Sequence, residues 1–130
     1  MKGECELRCK IDELNPLSVK LLTGSAEIFG IELTRNKEFI FREGSIAIFS
    51  WYGCKVETTG SSDTIIHLTE PGETPMVAYV NTHSQIEARR DDALASGENG
   101  PRVLIVGPTD CGKSTLSRIL TAYAARLIHC

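Results

Sequence analysis

Cysteines at metal-binding or disulfide spacing are missing from this sequence. Its five cysteines, Cys5, Cys9, Cys54, Cys111 and Cys130, form an odd set with no CxxC pair and no histidines at ligand spacing. That pattern argues against both a disulfide framework and a zinc site, and reduced thiols are the expectation. An excess of basic charge is missing too: the formal net charge is −3, so there is no overall attraction toward a phosphate backbone or an anionic membrane. No apolar run approaches the roughly 18 residues of a membrane span. The opening Met1, Lys2, Gly3, Glu4 places charge where a secretory signal needs an apolar core of roughly 7 to 15 residues. No membrane association is expected, and cytoplasm or nucleus is the expected compartment.

The sequence does have enough apolar material for a core. Its 130 residues, 42% hydrophobic and 24% charged, suit one globular domain or a small domain with a piece of another. At the start, Cys5, Leu7, Cys9 and Ile11 alternate with Glu6, Arg8 and Lys10, the pattern of a strand with one apolar face. Short β-branched and aromatic runs predict further strands at 19–22, 26–29, 31–33, 39–41, 46–50, 55–58, 65–68 and 77–80, divided by turn residues. Two turns are explicit, Gly60-Ser61-Ser62-Asp63 and Pro71-Gly72-Glu73. The expected product is a small all-β sandwich or barrel over residues 1–81.

The pattern changes at Thr82. Thr82 as N-cap with Gln85 three residues on predicts a capping box and a helix over 83–96. Gly97-Glu98-Asn99-Gly100-Pro101 reads as a linker, so that 82–101 joins the β domain to a third segment, 102–130. There RVLIV (102–106) resembles a strand buried on both faces. Leu116, Ile119, Leu120, Tyr123, Ala124 and Leu127 then recur at helical spacing as a single apolar stripe.

Between this strand and helix lies GPTDCGKST. Gly107, four residues, Gly112, Lys113 and Ser114 complete a Walker A phosphate loop. The two glycines let backbone N–H groups close around phosphate oxygens, and the helix beginning near Lys113 adds the positive end of its dipole. Lys113 is the catalytic candidate, a mobile charge for the β and γ phosphates, while the Ser114 hydroxyl is the magnesium ligand. Asp110 and Cys111 contribute backbone, and Pro108 stiffens the start of the loop. A purine nucleoside triphosphate with magnesium is the expected ligand, and the motif leaves the reaction open. Cys111 at a helix N-terminus invites a reactive-thiol reading, against which a loop filler is the simpler account. Arg89, Arg90, Asp91 and Asp92 read as a solvated helix face.

Four segments together carry a more specific signal: TGSAEIFGIELTRNKEF (23–39), FSWYGCKVE (49–57), TPMVAYVNTH (74–83) and GPRVLIVGPTDCGKST (100–115). They resemble the N-terminal portion of the polyribonucleotide 5′-hydroxyl kinase family, which includes the kinase-like subunit of pre-mRNA cleavage factor II. The resemblance implies an all-β domain followed by the first strand, phosphate loop and helix of an α/β P-loop kinase domain, with ATP and magnesium as cofactors. Members transfer the γ-phosphate of ATP to the 5′-hydroxyl of RNA, or hold ATP while scaffolding 3′-end cleavage and polyadenylation in the nucleus. Their partners are subunits of the 3′-end processing complex and, for some, the tRNA-splicing endonuclease. Carried over, the resemblance assigns Gly107, Asp110, Cys111, Gly112, Lys113, Ser114 and Thr115 to the phosphates and magnesium, and Glu6 to the neighbourhood of the adenine. Many members carry a base-contacting lysine ahead of the IAIFSW-like strand; this sequence has Gly44-Ser45-Ile46 there.

The Walker B acid, the lid arginines and the RNA clasp of the family have no counterpart in these 130 residues. The expectation is therefore a stable unit at 1–81, a marginal 102–130, and a polypeptide that by itself is not an active kinase, a fragment or alternative product of the kinase family.

Overall fold

The computed structural model describes residues 1–60 and 64–128. The chain forms two compact units, Met1–Thr74 and Pro75–Cys130.

Period-two alternation builds the first unit. Its strands are β1 (Cys5–Ile11), β2 (Leu17–Gly24), β3 (Glu27–Ile28), β4 (Ile31–Glu32), β5 (Glu38–Phe41), β6 (Gly44–Ser50), β7 (Cys54–Thr59) and β8 (Ile65–Leu68). A five-stranded sheet has the order β4-β3-β6-β1-β8, a three-stranded sheet the order β5-β2-β7, and every strand pair in them is antiparallel. Cys9, Ile11, Ile46 and Ile48 from the larger sheet and Leu17, Val19 and Leu21 from the smaller fill one core cluster. That is a sandwich, in which each sheet buries alternate side chains against the other. On the smaller sheet Lys20 is in register with Glu38 on one side and Glu57 on the other, a cross-strand charge arrangement that favours this pairing.

The tight β3–β4 hairpin turns through Phe29 (φ 50°) and Gly30 (φ 80°), both left-handed as the two-residue hairpin geometry demands. Phe29 is held in that costly conformation by packing its ring on the core. The turn expected at 60–63 falls at 61–63 outside the described residues. The one at Pro71-Gly72-Glu73 is present, with Glu73 N–H donating to Glu70 O at 3.2 Å.

The second unit contains α1 (Met76–Ser96) and α2 (Lys113–Ile128). The strand expected at 77–80 is instead the first turn and a half of α1. Pro75 stands at the N-cap with no side-chain cap, and its fixed φ suits a helix start. Thr82, expected as the cap, lies inside the helix and donates its hydroxyl to Ala78 O at 2.8 Å, the back-bond available to a helical threonine. Gly97 ends α1 in the left-handed conformation (φ 71°), the common glycine stop. The tilted rings of His83 and Tyr123, 5.7 Å between centroids, pack α1 on α2, and Ile119 and Tyr123 of the expected stripe are buried.

The strand expected at 102–106 is absent. Residues 101–107 have no regular structure, and Val103, Leu104 and Val106 are 54%, 84% and 78% exposed. A strand exists only with a neighbour to satisfy its backbone, and no strand pairs with this segment among the described residues.

Candidate functional site

The Walker A residues occupy the turn into α2. Asp110 (φ 60°) and Gly112 (φ 86°) both adopt left-handed backbone, which turns the chain sharply before the helix begins at Lys113. Gly112 suits its conformation because a side chain there would be strained. A Cβ at Gly107 would lie 2.7 Å from Cys111 Sγ, the rotatable end of an exposed side chain. Cys111 therefore folds across the loop onto Gly107. Lys113 curls back in the same direction, donating from Nζ to Pro108 O, with Nζ 3.9 Å from Cys111 Sγ.

The first helix amide with a backbone acceptor is that of Leu116, bonded to Gly112 O at 2.9 Å. Among the described residues the N–H groups of Lys113, Ser114 and Thr115 have no such partner. Open amides at a helix start, a flexible ammonium and an exposed Ser114 hydroxyl are the donor set that a phosphate group and its metal ion require. The residues present fit a magnesium-bound polyphosphate.

Glu6 belongs to the first unit, on the face of β1 opposite the sandwich core. It is buried, 8% exposed. Its backbone is pinned twice: Glu6 N–H donates to Thr69 Oγ1 at 2.9 Å, and Thr69 N–H donates to Glu6 O at 3.0 Å. Register places Glu6 beside Phe49 of β6, with Glu27 of β3 on the far side of Phe49. Phe49 and Glu27 are also buried, and the Trp51 ring meets the Phe49 ring edge-on at 4.7 Å. The Glu6 carboxylate is gripped by Arg8, which donates to Oε2 from Nε at 3.3 Å and from Nη2 at 3.0 Å.

The loop residues 107–115 are thus gathered in one turn, and Glu6 stands in the other unit. Arg8 and Thr69 were not singled out from sequence. Arg8 had a signal, since residues two apart on a strand share a face. Thr69 had none, because its contact spans 63 residues.

The sandwich of five and three antiparallel strands, with Glu6 and Phe49 on its outer face, is of a recognised class. Residues 1–93 match the model of the N-terminal β-sandwich domain of polyadenylation factor, and the chain belongs to that family. Its similarity to particular proteins extends further along the chain. It is 46% identical over 128 residues to the human polyribonucleotide 5′-hydroxyl-kinase Clp1, an alignment covering 98% of this chain and 29% of that protein. The frog protein of the same name, from Xenopus laevis, is 47% identical over 127 residues, 97% of this chain and 28% of its own length. Two solved structures of Clp1p with Pcf11p have the same architecture. One, concerned with their extended interface and with ATP loss in a glycine-to-arginine mutant, superposes with TM-score 0.81 at 28% identity over 97% of this chain and 29% of that one. The other, of the wild-type complex, gives 0.79 at 30% identity over 97% and 28%. The chain therefore spans less than a third of the length of these relatives.

Proposed function

We propose that this chain binds ATP with magnesium, the Gly107 to Thr115 loop taking the phosphates and Glu6 meeting the base, as part of an RNA 5′-hydroxyl kinase system in nuclear pre-mRNA 3′-end processing. The observation that carries this reading is the conjunction at the head of α2: left-handed Asp110 and Gly112, open amides at 113–115, and the Lys113 ammonium folded over the same turn. When bound, magnesium supplies charge neutralisation at the β and γ phosphates, and Ser114 is the residue placed to hold it. Lys113 supplies a positive charge that follows the outer phosphates, and the backbone amides at 113–115 donate to phosphate oxygens.

Holding a triphosphate is distinct from transferring its phosphate. Transfer also needs a group that orients the attacking hydroxyl and compensation of charge at the leaving oxygen. The relatives named for the kinase activity are more than three times as long as the aligned region. A second reading, an ATP-holding scaffold, is favoured by the solved relatives being complexes of Clp1p with Pcf11p. On that reading this chain binds a 3′-end processing factor, and its nucleotide is structural.

Incubation with γ-labelled ATP and a 5′-hydroxyl RNA oligonucleotide separates the two. Label reaching the RNA, and lost in Lys113→Ala, supports the kinase role. Retained ATP with unlabelled RNA supports the scaffold, and no retention of ATP contradicts both.

A further inference from the structure

The arginine on Glu6 engages its carboxylate in an unusual way. A guanidinium facing a carboxylate squarely gives one N–H to each oxygen. Here Arg8 Nε and Nη2 both donate to the same oxygen, Oε2, at 3.3 and 3.0 Å. A carboxylate has about four lone-pair sites, two on each oxygen. Oε2 is therefore filled by Arg8, while Oε1 accepts no hydrogen bond among the described residues. The Glu6 backbone is locked by the Thr69 bonds, and its side chain is only 11% exposed, against 48% for that of Arg8. Of the two carboxylate oxygens, Oε2 is the one occupied by Arg8, and Oε1 is the one that can still accept.

We propose that Arg8 is a specificity-determining residue: by saturating Glu6 Oε2 it leaves an acceptor that suits the lone 6-amino donor of adenine and disfavours guanine. Guanine offers N1–H and its 2-amino group side by side, a donor pair that asks for both carboxylate oxygens. With one oxygen occupied, a bound guanine leaves an N–H without an acceptor, and a desolvated unpaired donor is the strongest basis for rejection in a polar site. Arg8 acts through Glu6 and does not itself meet the base. This inference rests on the reading above that Glu6 faces the nucleobase.

The test is titration of the full chain with ATP and with GTP, both with magnesium, for wild type, Glu6→Gln, Arg8→Met and Arg8→Lys. Wild type is expected to prefer ATP by about tenfold or more, the scale of one unpaired donor. Arg8→Met frees Oε2 and is expected to narrow the ratio to about threefold or less, chiefly by a gain for GTP. Arg8→Lys restores a donor and part of the preference, which a merely structural role for Arg8 does not explain. Arg8→Leu, which likewise has no donor, replaces Arg8→Met if the latter melts at lower temperature than wild type. An unchanged ATP:GTP ratio in the arginine variants, with the ratio lost in Glu6→Gln, overturns the role of Arg8 alone. A wild type that binds neither nucleotide, or a ratio unmoved by Glu6→Gln, overturns the placement of the base at Glu6 and this inference with it.

Discussion

Cys9 and Cys111 carry the same thiol into opposite surroundings. Cys9 points into the sandwich core, 2% exposed, and burial pushes its thiol pKa up. Cys111 lies exposed on the phosphate loop, within 3.9 Å of the Lys113 ammonium. The thiolate is the nucleophile, and burial suppresses both its formation and its access. Iodoacetamide at neutral pH is expected to modify Cys111 in the native chain and to reach Cys5 and Cys9 only in denaturant. Peptide mapping of the labelled chain checks this; native labelling of Cys9 at the rate of Cys111 contradicts it.

Among the elements, the sandwich strands and the segment around the phosphate loop differ in what holds them. Ile48 in β6 is fully buried between two paired neighbours, β1 and β3. Leu104 has no strand neighbour among the described residues and is 84% exposed. Amide hydrogen exchange reports local opening, which is easiest where backbone groups face solvent and few apolar contacts resist. The expected order is fastest exchange around Leu104, slower in α2 around Leu120, and slowest at Ile48. Protection at Leu104 equal to that at Ile48 contradicts it.

These same elements explain what could be read from the residues. The β strands were legible because alternation in β1 and the short β-branched and aromatic runs of β2, β6 and β7 report burial locally. The strand at 77–80 was misread because Met76-Val77-Ala78-Tyr79-Val80 is apolar and β-branched enough to resemble one; Pro75 as a helix start and the tertiary packing of α1 override that weak propensity. The strand at 102–106 failed for the complementary reason: its residues suit a sheet, and a sheet is a property of two segments. Thr82 showed a capping pattern with no helix end for it to cap.

At the scale of the whole chain, the family is fixed by the match over residues 1–93, while the phosphate loop lies beyond that span. The loop was legible as a motif because its residues are consecutive. The carboxylate site was legible only at Glu6, through family resemblance. Arg8 and Thr69 reach it by strand geometry and by pairing with a distant segment, which spacing along the chain does not reveal.

Calorimetric titration of the 130-residue chain with ATP, in magnesium and again in excess chelator, tests the central claim most directly. The predicted result is saturable binding of one nucleotide per chain, weakened about tenfold or more by Lys113→Ala, a loss of about 1.4 kcal/mol or greater, and weakened likewise by removing magnesium. A folded chain that gives no saturable heat with ATP at millimolar concentration, or a Lys113→Ala variant that binds as wild type does, contradicts the account.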